Sequence, residues 1–295
     1  MSATKKRATV CALLAAVLYA LNAPFSKLLL QQVPPTAMAA LLYLGAGLGV
    51  FLLRLVRHTA AARSGTAEKE QPLTRKELPY TVGMVVLDIA APVLLMLGLR
   101  HTTAANAALL NNFEIAATSV IALVLFREAI SRRLWLAIGL VTLSSLILSF
   151  EDVSSLSFSV GSLFVLLACV CWGLENNCTR MLSAKDPLQI VVIKGFGSGL
   201  GSLALAFAAG ETLPGFGSVL AALLLGFVAY GLSICFYIYA QRTLGAAKTS
   251  AYYAAAPFVG AGLSLLIFWQ TPTVSYLAAL AVMLAGTYFA TFDHP

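Results

Sequence analysis

Five ionisable side chains lie inside long apolar segments of the chain: those of Lys27, Asp88, Glu114, Glu175 and Lys194. A charged group at the centre of a bilayer costs about 2.5–3.5 kcal/mol on insertion scales. Positions that face lipid would not hold several of them, so we expect each side chain to face the interior of a helix bundle. Carboxyl and amino groups held there could bind or exchange a proton or a cation.

Asp88 and Glu114 lie near the middle of two successive apolar segments. Asn111, Glu114 and Thr118 share one helical face, because they follow each other at spacings of three and four residues. Pro92 cannot donate to the Asp88 carbonyl and is expected to bend the helix there. If the two carboxyls are close, both cannot be ionised in a low-dielectric interior, so one would hold a proton, as a proton-coupled carrier requires. The alternative is a protonated acid in a structural interhelical hydrogen bond.

Glu175 and Lys194 lie at similar depths in two neighbouring segments. They could form an ion pair that opens and closes as a gate, or a permanent structural pair, and both interpretations stay open. Trp172 shares a helical face with Glu175 and is expected to line the same cavity. Lys27 lies near the outer end of the first segment, where a long side chain can reach the interface, so we predict a structural role.

Later in the chain, aromatic and polar side chains follow one helical stripe: Tyr230, Ser233, Tyr237 and Gln241. Tyr253 precedes Pro257, whose missing N–H leaves the Tyr253 carbonyl free. Aromatic residues with hydroxyls predict a cavity that encloses an organic solute and bonds its polar end. The alternative is an interfacial aromatic belt, but the three tyrosines lie too deep in their segments for all of them to belong to one.

Composition sets the class of protein. The 295 residues are 60% hydrophobic and 11% charged, with a mean hydropathy of +0.88, whereas a soluble domain carries roughly a quarter charged residues. A crossing helix needs about 20 apolar residues, so we predict an all-α integral membrane protein of about ten transmembrane helices, without a soluble catalytic domain. The predicted spans are residues 8–30, 36–56, 79–99, 103–126, 132–150, 158–180, 187–209, 216–240, 246–269 and 273–291.

Basic residues, which give a net charge of +7, concentrate at one end of the predicted spans. The positive-inside rule therefore predicts that both termini are cytoplasmic. The cytoplasmic cations would be Lys5, Lys6, Arg7, Arg54, Arg57, Arg63, Lys69, Arg75, Lys76, Arg127, Arg132, Arg133, Arg180, Lys185, Arg242 and Lys248. The charged stretch 57–78 is predicted to be a loop. The cations form no continuous patch or nucleic-acid-binding motif, so we expect no nucleic-acid partner.

The chain repeats itself weakly. Residues 19–34 align with 172–187 at a constant offset of 153, and residues 99–144 align with 241–286 at an offset of 142. Each half, 1–152 and 153–295, holds five predicted spans. Because five is odd, the second half would be inserted upside down relative to the first, as in many secondary transporters. Small-residue spacings, Gly45/Gly49 in the second span and Gly195/Gly199 and Gly197/Gly201 in the seventh, predict close helix packing.

At these residues the chain resembles the drug/metabolite transporter superfamily, EamA type. The matching features are the polar stretch Tyr19…Asn22…Pro24…Lys27, its partner Trp172…Glu175…Arg180, Phe126-Arg127-Glu128 followed by Trp135 and Gly139, and the helix with Pro257. The resemblance implies a bundle of five plus five inverted helices that exports small metabolites. It also makes Asn22 a candidate site residue. Two departures concern the substrate: Glu114-Ile115 where the family often has proline, and Trp269-Gln270 where an acidic ending would fall.

The sequence thus favours a secondary transporter in the inner membrane, a proton-linked exporter of a small polar or cationic organic metabolite. It has no nucleotide-binding loop, and neither a nucleophile motif nor a metal-binding motif of an intramembrane enzyme. We therefore expect no cofactor, metal or catalytic residue, and the lipid bilayer, protons and a small solute as partners, with homodimer formation left open. The alternative is a lipid or lipid-linked-sugar flippase on the same fold.

Overall fold

A computed structural model describes residues 3–64, 71–127, 130–152, 157–182, 185–244, 249 and 252–291. Within these ranges, nine helical segments are long and apolar enough to cross a membrane, and Ala256–Ile267 is a shorter apolar helix. The prediction of an all-α membrane protein of about ten helices is confirmed. Lys69, Glu128, Lys248 and part of the predicted 57–78 loop and ninth span lie outside the described residues, as does the side chain of Gln241.

The helices follow the predicted spans, except that the second continues to Ser64, so the first part of the predicted 57–78 loop is helical instead. Short breaks divide the first and fourth spans, and a π-helical turn lies within the eighth. The first five spans are Ala3–Ala20 with Asn22–Leu29, Pro35–Ser64, Leu78–His101 after the 3-10 turn Arg75–Glu77, Ala104–Leu110 with Phe113–Phe126, and Arg132–Ser149. The second five are Val160–Met181, Pro187–Ala208, Phe216–Gly226 with a π-helical turn Phe227–Leu232 and Ser233–Leu244, Ala256–Ile267, and Val274–Thr291. The strands Phe150–Asp152 and Ser157–Phe158 pair antiparallel between the two halves.

Local sequence explains where these helices begin. Ser131, Thr103 and Ser159 each accept a hydrogen bond from a backbone N–H in the first turn of the helix that follows, as good N-cap residues do. The seventh span begins at Pro187 after Asp186, whose carboxylate accepts the N–H groups of the next two non-proline residues. Proline is favoured at this first helical position because its missing N–H would have no helical partner there.

Two expectations about helix continuity are corrected. The first span is not one helix, because it breaks at Leu21, and the fourth breaks at Asn111–Asn112. The predicted stripe through Asn111, Glu114 and Thr118 is therefore interrupted at its first member. In the third span, by contrast, the helix runs through Pro92 without a break.

The most extensive contacts between spans correspond when the two halves are exchanged. The first span packs on the eighth and ninth as the sixth packs on the third and fourth. The second packs on the seventh, the fourth on the ninth and the fifth on the tenth, so these pairs map onto themselves. This pattern is what a pseudo-two-fold axis between two inverted five-helix repeats produces.

The second and seventh spans approach most closely at glycines. A Cβ added to Gly195 would lie 2.4 Å from the Gly47 Cα, and one added to Gly45 would lie 2.1 Å from the Leu223 carbonyl oxygen in the eighth span. Polar contacts also hold the second span at both ends of its apolar part. The Glu211 carboxylate accepts the N–H groups of Thr36 and Ala37 at 3.2 and 2.8 Å, and Arg54 pairs with Asp186 at 2.9 Å at the other end.

The contact between Gly195 and the Gly47 backbone gives a first prediction. Gly195→Ala should destabilise the protein by about 1–3 kcal/mol, because the added methyl group meets backbone that cannot move aside. The matched control is Gly139→Ala, since that glycine is also helical but has open space around its Cβ position. Thermal unfolding of both variants in one detergent checks this. Equal melting temperatures for the two variants would show that the helices are not in backbone contact here.

Candidate substrate and proton site

Three ionisable groups predicted to face the interior meet in one cluster, which we call the charged cluster: Asp88, Glu175 and Lys194. Lys194 Nζ lies 3.1 Å from Asp88 Oδ2 and 3.0 Å from Glu175 Oε1. The side chains of Asp88 and Glu175 are 0% and 2% exposed, and that of Lys194 is 18% exposed. One ammonium group from the seventh span thus joins a carboxylate of the third span to a carboxylate of the sixth.

Neighbouring hydroxyl groups hold the two carboxylates of the charged cluster in place. The Tyr43 hydroxyl donates to Asp88 Oδ1 at 3.0 Å, and the Thr179 hydroxyl donates to Glu175 Oε1. Asp88 Oδ2 contacts Lys194 without the alignment of a hydrogen bond. When all three groups are ionised, the charged cluster has two negative charges and one positive charge.

Glu114 and Asp88 have different partners: Glu114 is hydrogen-bonded to Asn176, and Asp88 contacts Tyr43 and Lys194. Asn176 of the sixth span donates to Glu114 Oε1 at 2.6 Å and to the Thr118 hydroxyl at 3.3 Å. Asn177 donates to the backbone carbonyl of Thr118 at 3.2 Å. The Glu114–Thr118 part of the predicted stripe therefore does face another helix, through an asparagine that sequence reasoning did not select.

Five tyrosines form a continuous aromatic group, the tyrosine cluster: Tyr19, Tyr43, Tyr230, Tyr237 and Tyr253. Their ring centroids lie 5.1–5.9 Å apart along the path Tyr43, Tyr230, Tyr19, Tyr253, Tyr237. The Tyr43 end of this path contacts the charged cluster. The tyrosines come from the first, second and eighth spans and from the residues that precede the helix Ala256–Ile267, so the cluster joins four parts of the chain.

Asn22 and Trp172 belong to the same interior. Asn22 Nδ2 donates to the Tyr230 hydroxyl at 2.9 Å, and its Oδ1 accepts from Ser26 at 3.0 Å. Trp172 is buried with Tyr43 and Tyr230 in the main apolar core. The π-helical turn that contains Tyr230 adds a residue to one turn of helix, a local change that is frequent at functional sites.

A small cavity of about 10 Å³ lies where three interrupted spans meet. Tyr19, Asn22, Asn111 and Pro257 are among the residues that line it, and Asn111 Oδ1 is buried there without a hydrogen-bond partner. The break at Asn112 and the turn at Ala254 differ by 142 residues, the offset of the second repeat block. Interrupted helices at corresponding positions of two repeats are the best sequence-level indication of a transporter binding site.

Lys27 contacts the end of the third span, and its structural role stays a prediction. Its ammonium group donates to the backbone carbonyls of Leu99 and, at 2.8 Å, of Thr102, at the end of the third span. These carbonyls lack partners further along their own helix, and a cation stabilises such an end. Within the described residues, no group of three histidines, cysteines or acids is placed to hold a metal ion.

The fold and this interior define a polytopic membrane protein built from two five-helix repeats around a charged and aromatic centre. The sequence model of the EamA-like transporter family matches residues 6–150 and again 159–292. The chain belongs to the EamA-like transporter family.

Similar proteins agree with this assignment. An uncharacterized transporter of Methanothermobacter thermautotrophicus is 26% identical over 287 residues, which cover 93% of this chain and 83% of that protein. The uncharacterized transporter YyaM of Bacillus subtilis is 22% identical over 229 residues, covering 73% and 74%. A solved crystal structure of a protein superposes with a TM-score of 0.65 at 18% identity over 97% of this chain and 96% of that one, a likeness of fold.

Proposed function

We propose that the chain is a proton-linked secondary transporter that exports a small polar or cationic organic metabolite by alternating access. The observation that carries the proposal is the charge of the buried interior. Asp88 and Glu175 both pair with the ammonium group of Lys194, and Glu114 lies within electrostatic range of Glu175 and Lys194. Excess negative charge in a low-dielectric interior is unfavourable, so a proton or a cationic solute must balance it.

Because the proton and the cationic solute would compete for the same carboxylates, the movement of one would be coupled to the movement of the other. A carboxylate that gives up a proton becomes a site for an ammonium group, and the departure of that solute favours proton uptake again. The tyrosine cluster lies between the charged cluster and the interrupted helices, where aromatic faces and hydroxyls would enclose the organic part of the solute. The same acidic interior disfavours a phosphate-bearing headgroup, which supports the exporter over the alternative of a lipid flippase.

The repeat symmetry supplies the conformational change in this proposal. Exchanging the packing of the two halves would turn an outward-facing arrangement into an inward-facing one around the fixed centre. We place both termini in the cytoplasm, with repeats at 1–152 and 153–295, because most basic residues lie at the same end of the spans, with Lys27 and Arg100 at the other end. We call this face, which carries Arg54, Arg127 and Arg180, the basic face.

A ligand screen tests the proposal. The purified chain should be thermally stabilised by a polar or amine-bearing metabolite, and more strongly at the higher of two pH values, because protons and solute compete for the same carboxylates. The test is differential scanning fluorimetry with a metabolite panel at both pH values. Stabilisation by phosphate-bearing lipids alone, or an equal effect of the metabolite at both pH values, would contradict it.

A further inference from the structure

A second, larger cavity of about 200 Å³ lies between the fourth, fifth and sixth spans, toward the basic face. We call it the basic-side cleft. Its lining includes polar side chains at its inner end and the exposed Arg180 at its mouth. The lining residues are Thr118, Ser119, Ala122, Ile130, Leu134, Asn176, Asn177 and Arg180.

The inner end of the basic-side cleft lies next to Glu114, because two side chains that line the cleft are also neighbours of this residue. Asn176 and Thr118 line the cleft, Asn176 is hydrogen-bonded to both Glu114 and Thr118, and Thr118 lies one helical turn after Glu114. Arg180 lies one turn after Asn176, so polar groups follow each other at one-turn intervals from the mouth of the cleft to the carboxyl group.

The size and chemistry of the basic-side cleft suit water. A cavity of this volume with several hydroxyl and amide groups can hold a short chain of hydrogen-bonded waters. Glu114 is only partly buried, whereas Asp88 and Glu175 are fully buried in their ion pairs. Of these three acids, Glu114 is the one whose hydrogen-bond partner, Asn176, lines the basic-side cleft.

We propose that Glu114 exchanges its proton with the cytoplasm through the basic-side cleft, with Asn176 and Thr118 as the positioning residues at its inner end. The transfer moves one proton between the Glu114 carboxyl group and cleft water, and no other bond changes. This inference rests on the proposed function for its direction, but it assigns the route and the side of access, which that function leaves open.

Other ionisable groups around Glu114 would modulate this exchange. Glu175 of the sixth span and Lys194 of the seventh act on it electrostatically. The hydroxyls of Tyr19, Tyr230 and Tyr253 and the thiol of Cys169 also lie within electrostatic range. None of these residues is among the described residues that line the basic-side cleft, and within that described lining Arg180 is the ionisable side chain.

Sided chemical labelling tests the route without any knowledge of the solute. The full-length chain, oriented in vesicles, is treated with a membrane-impermeant carbodiimide and an amine, and amide formation at Glu114 is followed by peptide mass spectrometry. We expect labelling from the basic face and none from the opposite face. Labelling from the opposite face alone, or equally from both faces, would overturn the inference.

Variants then test the basic-side cleft itself. Ala122→Phe should fill it and abolish labelling of Glu114, whereas Val124→Phe on the same helix, 68% exposed on the outer surface, should leave labelling unchanged. Thr118→Val keeps the side-chain shape and should slow labelling without loss of thermal stability. Unchanged labelling in both Ala122→Phe and Thr118→Val would refute the route. Failure of pH-driven uptake in the wild type would instead refute the proposed function.

Discussion

Lys194→Met is expected to destabilise the protein by about 3 kcal/mol, because it leaves two buried carboxylates without their shared cation. Asp88 and Glu175 would then repel each other in a site where water cannot solvate them. The loss should shrink as the pH falls, since protonation removes the charge that lysine no longer balances. Thermal unfolding in detergent at several pH values measures both effects.

The matched control for this prediction is Lys185→Met. Lys185 pairs with Glu77 at 3.5 Å near the basic face, and ion pairs near a surface contribute about 0–1 kcal/mol. The double variant Lys194→Met/Glu175→Gln should recover part of the lost stability, because one of the two unbalanced charges is gone. Purely additive losses, or a deficit that does not change with pH, would show that the three groups do not act as one electrostatic unit.

Glu114→Gln is expected to abolish solute uptake driven by a pH gradient while leaving solute exchange intact. Glutamine keeps the oxygen that accepts the hydrogen bond from Asn176, so the interior should stay folded, but it cannot carry a proton. Counterflow of labelled solute against unlabelled solute needs no net proton movement and should persist, because the carboxylates of Asp88 and Glu175 remain available to the solute. Uptake with and without a pH gradient, measured beside counterflow in the same vesicles, separates the two activities.

Glu77→Gln is the matched control for this second prediction. Glu77 accepts hydrogen bonds from Thr74 at the start of the third span, outside the bundle interior, so its neutralisation should leave both activities unchanged. Gradient-driven uptake that survives in Glu114→Gln would assign proton carriage to the charged cluster instead.

The sequence predicted the fold well because three features can be read directly along the chain. They are the length of the apolar segments, the distribution of the basic residues and the constant offset between the two repeats. The cost of a charge in lipid predicted interior positions for four side chains, those of Asp88, Glu114, Glu175 and Lys194. Which of these groups would meet did not follow, because depth along a helix says nothing about its rotation toward a particular neighbour. In the structure, Lys194 forms ion pairs with both Asp88 and Glu175, and Glu114 accepts a hydrogen bond from Asn176.

The residues that sequence reasoning missed are instructive. Tyr43 lies among glycine, alanine and leucine in the second span, and its isolated hydroxyl was the available signal for a buried hydrogen bond. Asn176 follows Glu175 directly, so it lies on a different face of the helix from the predicted site residues Trp172 and Glu175. The π-helical turn at Phe227–Leu232 directly follows Gly226, where an added Cβ would lie 2.0 Å from the Leu42 carbonyl oxygen. No local sequence pattern predicts this turn.

Proton movement coupled to solute movement tests the central claim most directly. Vesicles containing the wild-type chain and a pH-sensitive dye are loaded with the solute found in the ligand screen and diluted into solute-free buffer. Because exported solute would exchange for protons, the lumen should acidify as solute leaves, and vesicles with Glu114→Gln should show no pH change. Solute efflux from wild-type vesicles at constant luminal pH would contradict proton-linked export.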